Sequence, residues 1–205
     1  MFISFEGGEG VGKTTLAIYL FKKIVNKYPV ILTKEPGGCK FNIPIKKILM
    51  QFYNKVDFIT EALLYAADRT EHLTKVIIPV LQQNKIVICD RFLDSSFVYQ
   101  GYVRKLGINF IQKINPLACE WLPDVTFYLD VDPSIALQRL KSQRKQKIEY
   151  FDLQKKHFHD QVRQGYLQLC LQYPQRICKI NANRSLKEIQ LSIAIKIKEL
   201  FQIDL

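Results

Sequence analysis

The stretch FEGGEGVGKTTL, Phe5 to Leu16, sets four glycines and a lysine between an apolar start and an apolar run with helical spacing. Residues 7–14, GGEGVGKT, match the pattern G-x-x-x-x-G-K-[ST]. Such a loop wraps a phosphate with its amides pointing inward, where a Cβ would collide, and that is the reason glycine recurs. Lys13 then reaches the β- and γ-phosphate oxygens, and the Thr14 hydroxyl holds Mg2+. The helix that begins near Thr14 turns its positive end toward the same anion. A chance match somewhere in a chain of this length has a probability of about one per cent at average residue frequencies. Gly7, Gly8, Glu9, Gly10, Val11, Gly12, Lys13, Thr14 and Thr15 therefore form the candidate segment for binding a nucleoside triphosphate.

The loop requires a strand before it and a helix after it, and the rest of the chain repeats that alternation. MFISFE (1–6), YPVILTK (28–34), KIVICD (85–90) and DVTFYLDV (124–131) are short, rich in β-branched and aromatic residues, and barely alternate, as strands covered on both faces do. RICKIN (176–181) is a fifth, weaker candidate. In residues 14–28, Leu16, Leu20 and Ile24 form one stripe while Lys22, Lys23 and Lys27 face elsewhere. Similar stripes run through 43–53, 58–83, 107–115, 134–146, 150–172 and 185–202. Strand alternating with helix predicts an α/β three-layer sandwich, a parallel sheet with right-handed crossovers and helices on both faces. No repeat, linker or low-complexity segment interrupts it, so residues 1–205 read as one domain.

Composition narrows the function classes. A chain of 205 residues with 48% hydrophobic and 24% charged side chains is an ordinary globular protein. Its net charge of +11 invites a nucleic-acid reading. The basic residues are spread along the chain and form no tail, which favours an anionic small substrate and no nucleic-acid partner. The five cysteines are an odd count without C-x-x-C spacing, which argues against a disulfide framework or a zinc site. No signal peptide or bilayer-length apolar run is present, so the expectation is a cytoplasmic protein with no membrane partner.

Asn-Lys-x-Asp occurs at residues 54–57, but between two helical stripes and not at the end of a predicted strand, where a GTPase would read guanine, and a motor or helicase would need a longer chain. A kinase for a small acceptor remains, and three stretches are placed to hold that acceptor: TKEPGG (33–38), LLYAADRTEHL (63–73) and DRFLDSSFVYQG (90–101). The first and third end strands, and the carboxyl ends of strands in an open parallel sheet line the ligand crevice. In the second, Tyr65 and Arg69 are four residues apart and project from one helix face.

Together with LPDVTFYLDV and IEYFDLQKKHFHDQVRQGYLQL, in this order and spacing, these stretches resemble the thymidylate kinase family over nearly the whole chain. The resemblance implies the nucleoside monophosphate kinase fold, a five-stranded parallel sheet, and a homodimer. It implies an enzyme that phosphorylates dTMP to dTDP with ATP and Mg2+. Tyr65 matches the aromatic position that stacks on thymine, where phenylalanine is more usual, and Arg69 matches the arginine that hydrogen-bonds the base. Arg91 matches the arginine that grips the acceptor phosphate. Ser96, Tyr99 and Gln100 match positions lining deoxyribose and base, Glu9 lies near the sugar 3′-hydroxyl, and Glu35 and Pro36 of EPGG complete the acceptor site. Asp90 orders Mg2+ through water or else positions Arg91. The bland readings are a Tyr65 packed in the core and an Arg69 paired with Asp68 or Glu61.

LQRLKSQRKQKIE (137–149) holds five basic residues between Arg139 and Lys147. By resemblance it belongs to a lid, about 139–150, that closes over ATP. Family members without an arginine inside the phosphate loop supply one from the lid, which makes Arg144, with Arg139 second, the candidate catalytic residue beside Lys13 and Arg91. The family's usual Asp-Arg-Ile-Glu appears here as Gln146-Lys147-Ile148-Glu149, and Lys147 keeps the charge without the planar fork. His157 and His159 lack a third ligand at metal spacing and read as core or surface histidines. Two other functions compete: a deoxynucleoside kinase, which needs a general base for a 5′-hydroxyl, and a basic nucleic-acid-binding protein.

Overall fold

The computed structural model describes residues 1–143 and 156–203, so Arg144, Gln146 and Lys147 of the expected lid lie outside the described residues. Five strands form one sheet: β1 (Phe2–Glu6), β2 (Val30–Lys34), β3 (Ile86–Asp90), β4 (Val125–Asp130) and β5 (Ile177–Asn181). Their spatial order is β2-β3-β1-β4-β5 and every pairing is parallel.

Three of these strands are buried along nearly their whole length, whereas the edge strands β2 and β5 are partly exposed. That difference accounts for the weak signal of RICKIN: an edge strand covered on fewer sides keeps Lys179 and Asn181 in water.

Alternate β1 side chains feed two cores. Ile3 and Phe5 pack with Leu16, Leu20 and Ile24 of α1 (Lys13–Ile24) and with the isoleucines of the C-terminal helix (Leu186–Phe201). Phe2 faces the other way, toward Phe92, Phe97 and Tyr166. Burying such side chains stabilises the fold by roughly 1.5–3 kcal/mol each.

The stripe at 58–83 resolves into three consecutive helical pieces: α-helix Phe58–His72, a π-helical turn Leu73–Ile77, and α-helix Ile78–Gln82. Past β3, a short α-helix Leu93–Ser96 runs into a second π-helical segment, Phe97–Val103. Periodicity at 3.6 residues does not announce a π-helix, whose wider turn recurs at functional sites. No described helix is long and apolar enough to cross a membrane.

Candidate active site

Register brings the motifs together. Lys34 pairs with Asp90 and Phe5 pairs with Asp90, so β2, β3 and β1 end side by side and release TKEPGG, DRFLDSS and the glycine loop at one edge. Between them lies a cleft of about 390 Å³, within the range of small-molecule sites.

In the glycine loop, Gly12 has φ 97° and nothing within 4 Å of a would-be Cβ, so its need for glycine is conformational. Gly10 needs it for space, since a Cβ would sit 2.6 Å from the Ala136 carbonyl and from Leu140 of helix Pro133–Gln143. Gly12 also provides no side-chain cap for α1, which leaves first-turn N–H groups free for an anion. Lys13 Nζ donates to the Gly8 carbonyl at 2.5 Å. Burial, and next to it the charge of Arg91, lower the Lys13 pKa to about 8. Thr14 donates its hydroxyl hydrogen bond to the Asp90 carboxylate. The two supply hard oxygen donors of the kind Mg2+ takes.

Arg91, at the head of the loop after β3, reaches back across the cleft. Its Nη1 donates to the Gly7 carbonyl at 3.0 Å and to Ser95 Oγ at 3.1 Å. Its Nη2 donates to Glu9 Oε1 at 2.5 Å, and its guanidinium lies 5.3 Å from the Tyr99 ring centre. Burial opposes its charge, yet Glu9, Tyr99, Tyr166 and Glu6 around it outweigh that and hold its pKa above the ordinary arginine value.

Arg69 and Tyr65, on one face of helix Phe58–His72, form the opposite wall. Neither carboxylate expected as an alternative partner binds Arg69. Its Nε donates to Glu35 Oε2 at 2.8 Å, and Nη1 donates to Asn115 Oδ1 at 2.8 Å. Arg69 is 2% exposed, so the ion pair with Glu35 is a buried one. His72, fully buried, holds the other Glu35 oxygen at 3.0 Å and bonds Thr33 at 2.7 Å. Tyr65 is half-buried and opens on the cleft, and burial raises its hydroxyl pKa.

The cleft thus unites Glu9, Gly10, Gly12, Lys13, Thr14, Thr15, Glu35, Pro36, Tyr65, Arg69, Asp90, Arg91, Ser96, Tyr99 and Gln100. Ser96, Tyr99 and Gln100, spaced at i, i+3 and i+4, share one side and all line the cleft. Val11 is only 5% exposed and packs in the core, while Gly7 and Gly8 serve through their carbonyls. Arg139 donates to the Ala182 carbonyl at 3.0 Å, beside the loop after β5. His157 is exposed and His159 buried.

Sequence reasoning passed over Lys46, Met50, Phe92, Ser95 and Leu140, which also line the cleft, and over Glu6 beneath it. Glu6, the last residue of β1, accepts from Phe92 N at 2.7 Å, Ser95 Oγ at 2.6 Å and the Tyr166 hydroxyl at 2.7 Å. Burial, and then the charge of Asp94, raise its pKa to about 7. A carboxylate closing an otherwise apolar strand was the available signal for it.

A phosphate loop at the end of the central strand, facing a wall with two arginines and an aromatic ring, defines a P-loop nucleotide kinase. The sequence profile described as Thymidylate kinase matches residues 5–193. Thymidylate kinase of Aster yellows witches'-broom phytoplasma (strain AYWB) is 58% identical over 207 residues, covering 100% of both chains. That of Acholeplasma laidlawii (strain PG-8A) is 44% identical over 191 residues, 92% of this chain and 94% of the relative. The crystal structure of thymidylate kinase from Ehrlichia chaffeensis matches with a TM-score of 0.79 at 34% identity, covering 97% of this chain and 98% of that one. This chain belongs to the thymidylate kinase family.

Proposed function

We infer that this protein transfers the γ-phosphoryl group of ATP to dTMP, giving dTDP and ADP. The observation that carries the reading is Arg91: it touches the glycine loop through Gly7 and Glu9, and the acceptor wall through Tyr99. Two polyanions repel each other, and fixed positive charge at their meeting point is the main catalytic requirement of phosphoryl transfer. Lys13 holds the donor phosphates and Arg91 grips the acceptor phosphate with a planar fork. Tyr65 stacks on the base, Arg69 hydrogen-bonds it, and Glu9, Ser96, Tyr99 and Gln100 surround the sugar and base. Thr14 and Asp90 would hold Mg2+, which when bound neutralises donor phosphate charge. Arg144 completes the charge from the lid on closure, as part of one kinase domain.

A nucleoside acceptor would need a general base, whereas Arg91 in the cleft lining supplies a positive charge and a planar fork, which favours an acceptor already phosphorylated. The working unit is a homodimer in the cytoplasm: Phe41, Ile43, Ile48, Ile59 and Leu63 leave apolar surface exposed, which a second copy would cover.

Purified protein given ATP and Mg2+ with dTMP, dUMP or thymidine in turn tests the reading by ADP release. Turnover on dTMP supports it, and preference for thymidine would overturn it. Retention on DNA at moderate salt without protection by dTMP would restore the nucleic-acid reading.

A further inference from the structure

We propose that Glu61 is a positioning residue that sets which way the Gln100 amide faces, and so makes the cleft accept thymine and refuse cytosine. The proposal rests on the dTMP reading above.

Glu61 stands in the first turn of helix Phe58–His72 and is 3% exposed. Its Oε1 accepts from Gln100 Nε2 at 2.8 Å, and its Oε2 accepts from Arg104 Nη2 at 3.2 Å. Arg104 is itself gripped by the start of that helix and the connection before it: its guanidinium lies 4.3 Å from the Phe58 ring centre and donates to Asn54 Oδ1 at 2.5 Å. The pair is therefore anchored from the side away from the cleft.

A carboxylate held against a guanidinium offers only acceptors. The Gln100 amide must then give its NH2 to Glu61 and turn its carbonyl oxygen elsewhere. Gln100 lines the cleft, and its Oε1 has no hydrogen-bond partner among the described residues. Arg69, in the same cleft, has only N–H groups to offer. The wall thus presents a donor and an acceptor together. Thymine answers with the O4 acceptor and the N3–H donor. Cytosine presents the reverse, a 4-amino donor and an N3 lone pair, and meets a mismatch at both. Were the amide free to turn, its NH2 could serve the cytosine N3, and half of the discrimination would vanish.

The test is Glu61→Gln, nearly isosteric, which offers Gln100 either a donor or an acceptor and releases the amide. The ratio of kcat/KM for dTMP to that for dCMP is expected to fall about tenfold or more, with KM for ATP little changed; the thermal midpoint falls as Arg104 loses its carboxylate, a loss that by itself leaves the ratio between the two nucleotides unaltered. The double variant Glu61→Gln/Gln100→Glu again turns an acceptor oxygen to the cleft and should restore the ratio. An unchanged ratio in Glu61→Gln, or an equal loss on both nucleotides that the double variant does not rescue, overturns the proposal. Wild-type protein with labelled glutamine side chains gives a readout without substitution. Adding dTMP should shift the Gln100 carbonyl carbon and leave the Nε2 protons in place, and displaced Nε2 protons would overturn the proposal. Failure of wild-type protein to turn over dTMP would instead sink the underlying assignment.

Discussion

Arg91 Nη2 donates to Glu9 Oε1 across 2.5 Å, joining the arginine that follows β3 to the carboxylate inside the glycine loop. Residues 82 positions apart thus form one charged unit at the centre of the cleft. The same guanidinium holds the Gly7 carbonyl, so its position and the loop's shape depend on each other.

Arg91→Lys keeps the charge and loses the fork. We expect kcat to fall about 10²–10³-fold, as when a preorganised transition-state donor is removed, with the thermal midpoint nearly preserved. Steady-state kinetics beside a melting curve measures both, and kcat within tenfold of wild type would remove Arg91 from the chemistry.

In the proposed reaction Lys13 would act as a cation, and burial has brought its pKa down to about 8. Its charge is therefore present below that pH and lost above it. In the free enzyme kcat/KM for ATP should be level up to neutrality and decline as pH rises through about 8. A profile flat to pH 10 in kcat/KM would show that the Lys13 charge is not required.

Glu6 makes a prediction about stability. Its folded pKa of about 7 lies above the ordinary 4.5, so between these values the folded state binds more protons than the unfolded one. Stability is then greatest below the lower value and falls as pH rises toward the upper, by at most about 3 kcal/mol. Urea unfolding at pH 5 and pH 8 measures this. Glu6→Gln, which cannot ionise, should show a smaller drop over the same interval, and an equal drop would assign the effect to other groups.

Arg69→Ala should cost stability as well as substrate binding. It leaves Glu35 and Asn115 without their partner in the interior, and breaking a buried pair costs about 3–5 kcal/mol. Adding Glu35→Gln to that variant should recover part of the loss. Chemical denaturation of the two variants decides the matter, and a single variant as stable as wild type would show that the pair contributes little.

For Tyr65 the ring matters more than the hydroxyl. Tyr65→Phe should leave KM for dTMP within about twofold, and Tyr65→Ala should raise it about tenfold, on the scale of base stacking on an aromatic side chain. Equal KM values in calorimetrically folded variants would place the base elsewhere.

Much of this was legible along the chain because its causes are local. A glycine loop between a strand and a helix states its own geometry, and the apolar runs of β1, β3 and β4 are continuous because helices cover both faces. The position of the glycine loop and the α/β alternation needed nothing more. Partners did need more. Arg69 lies beside Asp68 in sequence yet pairs with Glu35, and Gln100 meets Glu61 on another helix. The packing of helix Phe58–His72 against the segment that follows β2 and against Phe97–Val103 creates those neighbours. Spacing along a chain specifies which side chains share a face of one element. Which charges meet across elements depends on how the elements pack, and burial then decides which of those meetings shift a pKa or fix a hydrogen bond.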